Sequence, residues 1–96
     1  MTKDIAFTYE EKEEAESLLI QREKTWSHPN AAGLKSALVE TRMAVWKGKM
    51  TRAQAYNLWE AAEWSLERVL SPFASRAKFS RIKSIKDKLL DVFQEP

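Results

Sequence analysis

The sequence predicts an all-α fold, a compact antiparallel bundle of three long helices plus a fourth that is either continuous or broken. Three observations carry that prediction. Apolar residues recur at spacings of three and four over most of the chain, the period of a helix with one buried face. Helix-capping signatures stand where such segments begin. Only 2 Gly and 3 Pro punctuate the 96 residues, too few for a chain of many strands and tight turns.

The first helix is expected over about residues 9–26. Thr8 and Glu11 have the spacing of a capping box, in which the hydroxyl accepts from a first-turn N–H and the carboxylate reaches back. The Glu cluster that follows lies in the first turns, where the helix dipole favours negative charge. Ala15, Leu18, Leu19, Arg22 and Trp26 share one face. Ser27-His28-Pro29-Asn30 then reads as a break, because proline disfavours a helical residue before it.

The second helix is expected from near Asn30 to Lys47, with the stripe Leu34, Ala37, Leu38, Thr41, Ala44 and Val45. Gly48 suits the left-handed residue that ends a helix. Thr51 and Gln54 form a second capping-box pair. They open a third helix over about residues 52–70, with the stripe Ala55, Trp59, Ala62, Leu66 and Val69. Ser71-Pro72 suits a cap followed by proline in the first helical position, where a missing N–H costs nothing. The fourth helix then runs to about residue 93 along Ile82, Ile85, Leu89 and Phe93. Its pattern is less regular before Phe79, so a kink or split is expected near Ser80. Asp4-Ile5-Ala6-Phe7 alternates weakly and is too short to define a strand. The chain is therefore expected to be one helical domain over residues 1–96, with residues 1–7 as an irregular arm. Short connections favour antiparallel packing of sequential helices.

Composition narrows the chemistry. The chain has no Cys, which removes disulfides, thiolate metal sites and a Cys nucleophile together. His28 is the single imidazole and stands in the expected loop, so neither a metal site nor a general base is expected. Gly33 and Gly48 stand alone, and no phosphate loop, zinc-protease motif, nucleophile elbow or EF-hand loop occurs. No enzymatic activity and no cofactor are expected. No apolar run approaches the roughly 20 residues of a membrane span, and Met1 to Phe7 lacks the pattern of a secretory signal. The expectation is a soluble, cytoplasmic protein without a membrane partner.

Charge is unevenly placed, although the net charge is only +2. Glu10 to Glu16 holds five Glu against Lys12. Arg76 to Lys88 holds Arg76, Lys78, Arg81, Lys83, Lys86 and Lys88 against Asp87. The simplest reading is two solvated helix faces of opposite sign that attract each other. The sharper one is a basic patch for nucleic acid or for an acidic partner. The expected turn at Gly48 joins two long helices, unlike a compact helix-turn-helix.

Three features do not fit a simple bundle. The first is the second apolar face of the second helix, formed by Ala32, Val39, Met43 and Trp46 about 150° from its main stripe. Either that helix is central and buried on both sides, or the face is a binding surface bordered by Lys35, Arg42 and Lys47. The second is Trp64, which lies opposite the stripe of the third helix, among Asn57, Glu60, Glu67 and Arg68. It is either a second core contact or an exposed anchor. The third is Arg22 within an apolar stripe, which either lays its stem over apolar surface or is itself buried and paired to a Glu.

These features favour a non-enzymatic protein-binding module, a small adaptor, inhibitor or regulator that acts by occupying another protein. Its candidate contact residues are Val39, Arg42, Met43, Trp46, Trp64 and Arg68. The alternative is a nucleic-acid-binding accessory protein using the basic segment 76–88. A second alternative is a homodimer joined through the apolar face of the second helix.

Overall fold

The computed structural model describes residues 2–25, 31–69 and 76–93, the side chains at 25, 31–35, 68 and 69 excepted. Along the chain come β1 (Thr2–Asp4), α1 (Tyr9–Thr25), α2 (Ala31–Lys47), β2 (Lys49–Thr51), α3 (Arg52–Trp64), a π-helical turn (Ser65–Val69) and α4 (Arg76–Phe93). Four helices packed on one another make the molecule the all-α bundle that the periodicity predicts. Trp26, the Ser27–Asn30 break and the Ser71-Pro72 cap lie outside the described residues.

Both capping boxes form. The Thr8 N–H donates to Glu11 Oε1 at 2.8 Å, and the Glu11 N–H donates to Thr8 Oγ1 at 3.2 Å. At the start of α3, the Thr51 N–H donates to Gln54 Oε1 at 2.9 Å and the Gln54 N–H to Thr51 Oγ1 at 3.1 Å. Four first-turn donors that no helical carbonyl can reach are thereby satisfied in pairs. Gly48 ends α2 with φ +76°, and its N–H donates to the carbonyls of Ala44 and Val45. That left-handed conformation carries no Cβ penalty in glycine alone.

From Thr2 on, the arm expected to be irregular over residues 1–7 is ordered into the fold. Thr2–Asp4 pairs antiparallel with Lys49–Thr51, Lys3 facing Met50. The Ile5 N–H donates to the Gly48 carbonyl at 2.8 Å. Ile5 and Phe7 are buried in the core. Six paired residues are too few for a period-two pattern to be read. The pairing depends instead on the turn at Gly48, which carries the chain out of α2 in a direction that β1 can meet.

The core is shared by all four helices and closed by this small sheet. It holds Ala15, Leu18 and Leu19 of α1, and Leu38, Ala44 and Val45 of α2. Met50, Ala55, Leu58, Ala61 and Ala62 follow, with Ile82, Ile85, Leu89 and Val92 of α4. On α3 the buried face centres on Leu58 and the alanines, which allow close approach of its neighbours. Trp59 and Leu66, expected in the stripe, are half-buried at its edge, where Trp59 meets Phe93 edge to face at 5.6 Å. α4 is continuous from Arg76 to Phe93, so the break expected near Ser80 is absent. The irregular pattern around Ser80 reflects a helical end in which Arg76, Ala77, Phe79 and Ser80 are all exposed. The departure from α geometry comes instead after Trp64, in the π-helical turn. Ser65 opens that turn, is 1% exposed, and its hydroxyl has no hydrogen-bond partner.

Gly48 and Ser65 should therefore respond to alanine with opposite signs in a denaturant melt. Gly48→Ala forces a Cβ into the left-handed region, 3.4 Å from the Ile5 carbonyl oxygen, and should cost about 1–2 kcal/mol. Ser65→Ala removes an unsatisfied buried hydroxyl with little change of shape, and should raise stability by up to about 1 kcal/mol.

Candidate protein-binding face

The two charged segments meet. Glu11 and Glu14 fall on the same face of α1 as Ala15 and Leu18, and both are buried. They are not the solvated carboxylates that a first turn suggests. Glu11 receives Lys88 of α4 and the hydroxyl of Ser84, which donates at 2.6 Å. Glu14 receives Arg81 at 3.2 Å and Lys78 at 3.6 Å. Lys86 pairs with Glu63 of α3 and lies 4.7 Å from the centre of the Trp59 ring. Lys88 also donates to the Ala6 carbonyl at 2.9 Å. Burial pushes the Glu11 carboxyl up, but bonds from Lys88, Ser84 and the Thr8 N–H outweigh it and hold the group below its ordinary value.

Four of the six basic side chains proposed for nucleic acid, Lys78, Arg81, Lys86 and Lys88, are thus set on carboxylates of this same chain. Arg76 and Lys83 are exposed, with Lys83 5.3 Å from the Phe79 ring centre. Arg22, its side chain 13% exposed, is paired to Glu60, whose side chain is 36% exposed, rather than merely covering apolar surface. Its Nε and Nη2 donate to the two Glu60 oxygens at 3.1 and 2.8 Å. The same guanidinium lies 5.1 Å from the centre of the Trp64 ring. Trp64 is half-buried at this seam between α1 and α3, neither a core residue nor a fully exposed anchor. The Arg68 side chain lies outside the described residues.

On the surplus apolar face of α2, Val39, Met43 and Trp46 remain partly exposed, and the Ala32 side chain lies outside the described residues. The opposite side of the helix packs inward through Leu38, Thr41, Ala44 and Val45, whereas Val39 is 37%, Met43 55% and Trp46 38% exposed. The expectation of a central helix buried on both sides fails most clearly at Met43; α1 reaches only the Trp46 end of this face, through Tyr9, Lys12 and Glu16. At positions i, i+4 and i+7, Val39, Met43 and Trp46 form one ridge. Val39, Arg42, Met43, Trp46 and Lys47 line a shallow cavity of ≈ 450 Å³ together with Glu16 of α1. Four of the six candidate contact residues are brought together here. Trp64 stands at a different seam.

Tyr9 belongs to this face, although the sequence marks it only as a helix start. It is 64% exposed and meets the Trp46 ring edge to face at 5.7 Å. The Trp46 indole N–H donates to Glu16, and Lys12 donates to the Trp46 carbonyl at 3.4 Å. Tyr9, Glu13 and Glu16 with Trp46 border an adjoining groove of ≈ 700 Å³ that extends to Ile20. A hydrogen bond to Glu13 and that carboxylate's charge push the Tyr9 phenol above its ordinary value. The 9, 13, 16, 20 spacing puts these side chains on one strip of α1 away from its core stripe, but that strip meets Trp46 only through the packing of α1 on α2.

The ridge is thus held in place at its Trp46 end and free at Met43. Its chemistry is that of contact: an apolar centre, an aromatic pair and a charged rim. Among the described residues no group of His, Asp and Glu side chains is arranged to hold a metal ion, and no helix is long and apolar enough to cross a membrane.

Protonation of Glu11 should weaken the fold. Its carboxyl is held below the unfolded value, so its contribution is complete above the ordinary Glu range and is lost as pH falls through the lowered folded value. Glu11→Gln should cost about 1.5–3 kcal/mol at pH 7. The gap from the parent should shrink in urea melts taken below roughly pH 4, near the ordinary Glu value. Met43→Ala should change stability by no more than about 0.5 kcal/mol, as expected of an exposed side chain. Trp64→Ala should cost roughly 2 kcal/mol, between a surface and a core value, as the Arg22 stack and partial burial are lost.

Compared with family models, curated proteins and solved structures, the chain matches none of them.

Proposed function

We propose that this chain is a protein-binding module without catalysis of its own, a small adaptor, inhibitor or regulator that acts by occupying another protein through the α2 ridge. The observation that carries this reading is the exposure of Val39, Met43 and Trp46 on a helix whose other side is already buried. Leaving Met43 and part of the Trp46 ring in water gives no gain to the folded monomer. At an interface, buried aromatic and Met side chains supply much of the affinity, and Met adapts its shape to the surface it meets. Tyr9 extends the apolar centre. Arg42 and Lys47 border it and supply a rim that selects partners by charge.

The nucleic-acid reading has less support. A phosphate approaching Lys78, Arg81, Lys86 or Lys88 would compete with carboxylates already in contact. Two of those carboxylates are buried, so separating them from their cations would leave charge unpaired in the protein.

A photoreactive residue placed at Met43 in the full chain tests the proposal inside the cells that produce it. The expected result is a discrete protein adduct that is absent when the probe stands at Asp87, exposed on α4. Met43 lies at the ridge centre, so replacing Trp46 with Ala should lower the yield of that adduct at least tenfold, the loss expected when a hot-spot side chain worth about 2 kcal/mol is removed. Adducts to nucleic acid alone, or none above the Asp87 control, would overturn the reading.

A further inference from the structure

The surface around Met43 has a defined relief. Two cavities flank the α2 ridge and share Met43 and Lys47. One, of ≈ 450 Å³, holds Arg42 and reaches Glu16 of α1. The other, of ≈ 380 Å³, holds Glu40 and reaches Lys49 and Thr51 of β2. A raised row of side chains between two hollows is what a second helix packs against, ridge into groove. Val39, Met43 and Trp46 span two turns, about 10 Å of helix axis. Their exposed parts, with that of Tyr9, sum to something on the order of 400 Å². In a stable interface each folded partner gives about 800 Å². The apolar centre therefore falls short of a folded partner's face and matches the three or four anchors of a single amphipathic helix.

Charge differs along the ridge. At the Trp46 end the signs are mixed, because Glu13 and Glu16 stand against Lys12, Lys24 and Lys78. No charge preference follows there. Around Met43 the balance is one-sided. Arg42, Lys47 and Lys49 border the two cavities against Glu40, and Glu16 is taken up by the Trp46 indole N–H. Lys47 and Lys49 are exposed and Arg42 is half-buried. Among the described residues none of these three cations sits on a carboxylate, whereas Lys78, Arg81, Lys86 and Lys88 all do. The cations that hold helices together are paired within the chain, and those beside Met43 are not.

We infer that the occupant of the α2 ridge is an amphipathic helix of another protein, with an apolar stripe seated on Val39, Met43 and Trp46 and acidic side chains beside that stripe to meet Arg42, Lys47 and Lys49. This rests on reading the ridge as a protein-binding face. Exposed rim pairs each contribute little, so the apolar anchors hold the helix and the cations choose it by charge. Glu40 is the one carboxylate against such a partner, and its removal should strengthen the complex.

Display selection on the full chain tests this. The library holds helical peptides of about 18 residues, long enough to fold alone, with a varied apolar stripe and flanking positions drawn from Glu, Gln and Lys. Recovered peptides should be rich in Glu at the flanks. The strongest, made as a free peptide, should bind in the micromolar range and weaken as salt rises. Met43→Glu should abolish that binding. Lys47→Glu together with Lys49→Glu should weaken it about tenfold or more, and a fresh selection on that variant should turn the flanks from Glu to Lys. Glu40→Gln should tighten it about twofold. These changes lie on exposed residues, and unchanged melting curves check that each variant is folded. On the natural partner, the Met43 adduct should map to an acidic amphipathic helix.

Flanks rich in Lys or Gln, binders indifferent to Met43→Glu, or an empty selection overturn the inference. So does an adduct that maps to any other kind of segment. A chain that dimerises in sedimentation equilibrium, and loses the dimer with Met43→Glu, assigns the ridge to a second copy and overturns it as well. If the selection fails while the Met43 probe still captures a protein, the acidic helix falls and the protein-binding reading stands. If the probe captures nothing, both fall, whatever the library returns.

Discussion

Burial of two carboxylates is the constraint on which the rest of the structure depends. Glu11 and Glu14 lie on the inward side of α1, where the next turns carry Ala15, Leu18 and Leu19. An ionised carboxylate in that position is costly unless cations and hydrogen bonds replace its water. α4 supplies them through Lys78, Arg81, Ser84 and Lys88, spaced so that one face of the helix serves both carboxylates. The orientation of α4 against α1 is set by this match as much as by its apolar stripe, since a helix turned or shifted would strand the charges. Glu11 has a second task in the same place, closing the capping box that begins α1. Helix start and helix packing are therefore tied through one side chain.

A second tie runs through the N-terminal strand. β1 is held by β2 on one side and by α4 on the other, where Lys3 donates to the Asp91 carbonyl at 2.8 Å. Arg52, at the start of α3, donates to the Phe93 carbonyl at 3.2 Å. Both cations lie on the last turn of α4, where the helix carries partial negative charge and unsatisfied carbonyls. The ends of three elements are thus gathered at one end of the bundle. Among the described residues, Glu11, Glu14, Arg22, Glu60, Glu63, Lys78, Arg81, Lys86 and Lys88 form ion pairs that hold the helices to one another. Against that background the α2 ridge stands out, because Met43 and parts of Val39 and Trp46 remain exposed apolar surface.

Much of the local structure was legible in the residues. Thr8 with Glu11, Gly48, and Thr51 with Gln54 each act within one turn, and their geometry follows from side-chain reach and φ preference. The main stripes of α1, α2 and α4 were legible for a similar reason: helical period decides which side chains share a face. The ridge of Val39, Met43 and Trp46 was legible as a second apolar face, but its exposure was not. Nothing in a single helix says how many neighbours it will have. Tyr9 was missed because its importance comes from an aromatic contact with a residue 37 positions later.

The sequence by itself determined the helices, their caps, the stop at Gly48 and the faces available for packing, because these depend on backbone preference and on a period of a few residues. Only the tertiary structure decided which faces met. It put Glu11 and Glu14 inside, turned the basic run of α4 onto them, recruited residues 2–4 into a sheet and left Met43 and parts of Val39 and Trp46 exposed on α2. Each of those outcomes compares burial energies across elements distant in the chain, with long-range charge pairing offsetting desolvation. Local pattern carries no measure of that comparison. Arg22 shows the difference most clearly: its position on α1 was fixed by helical spacing, but whether its guanidinium met water or Glu60 depended on where α3 came to lie.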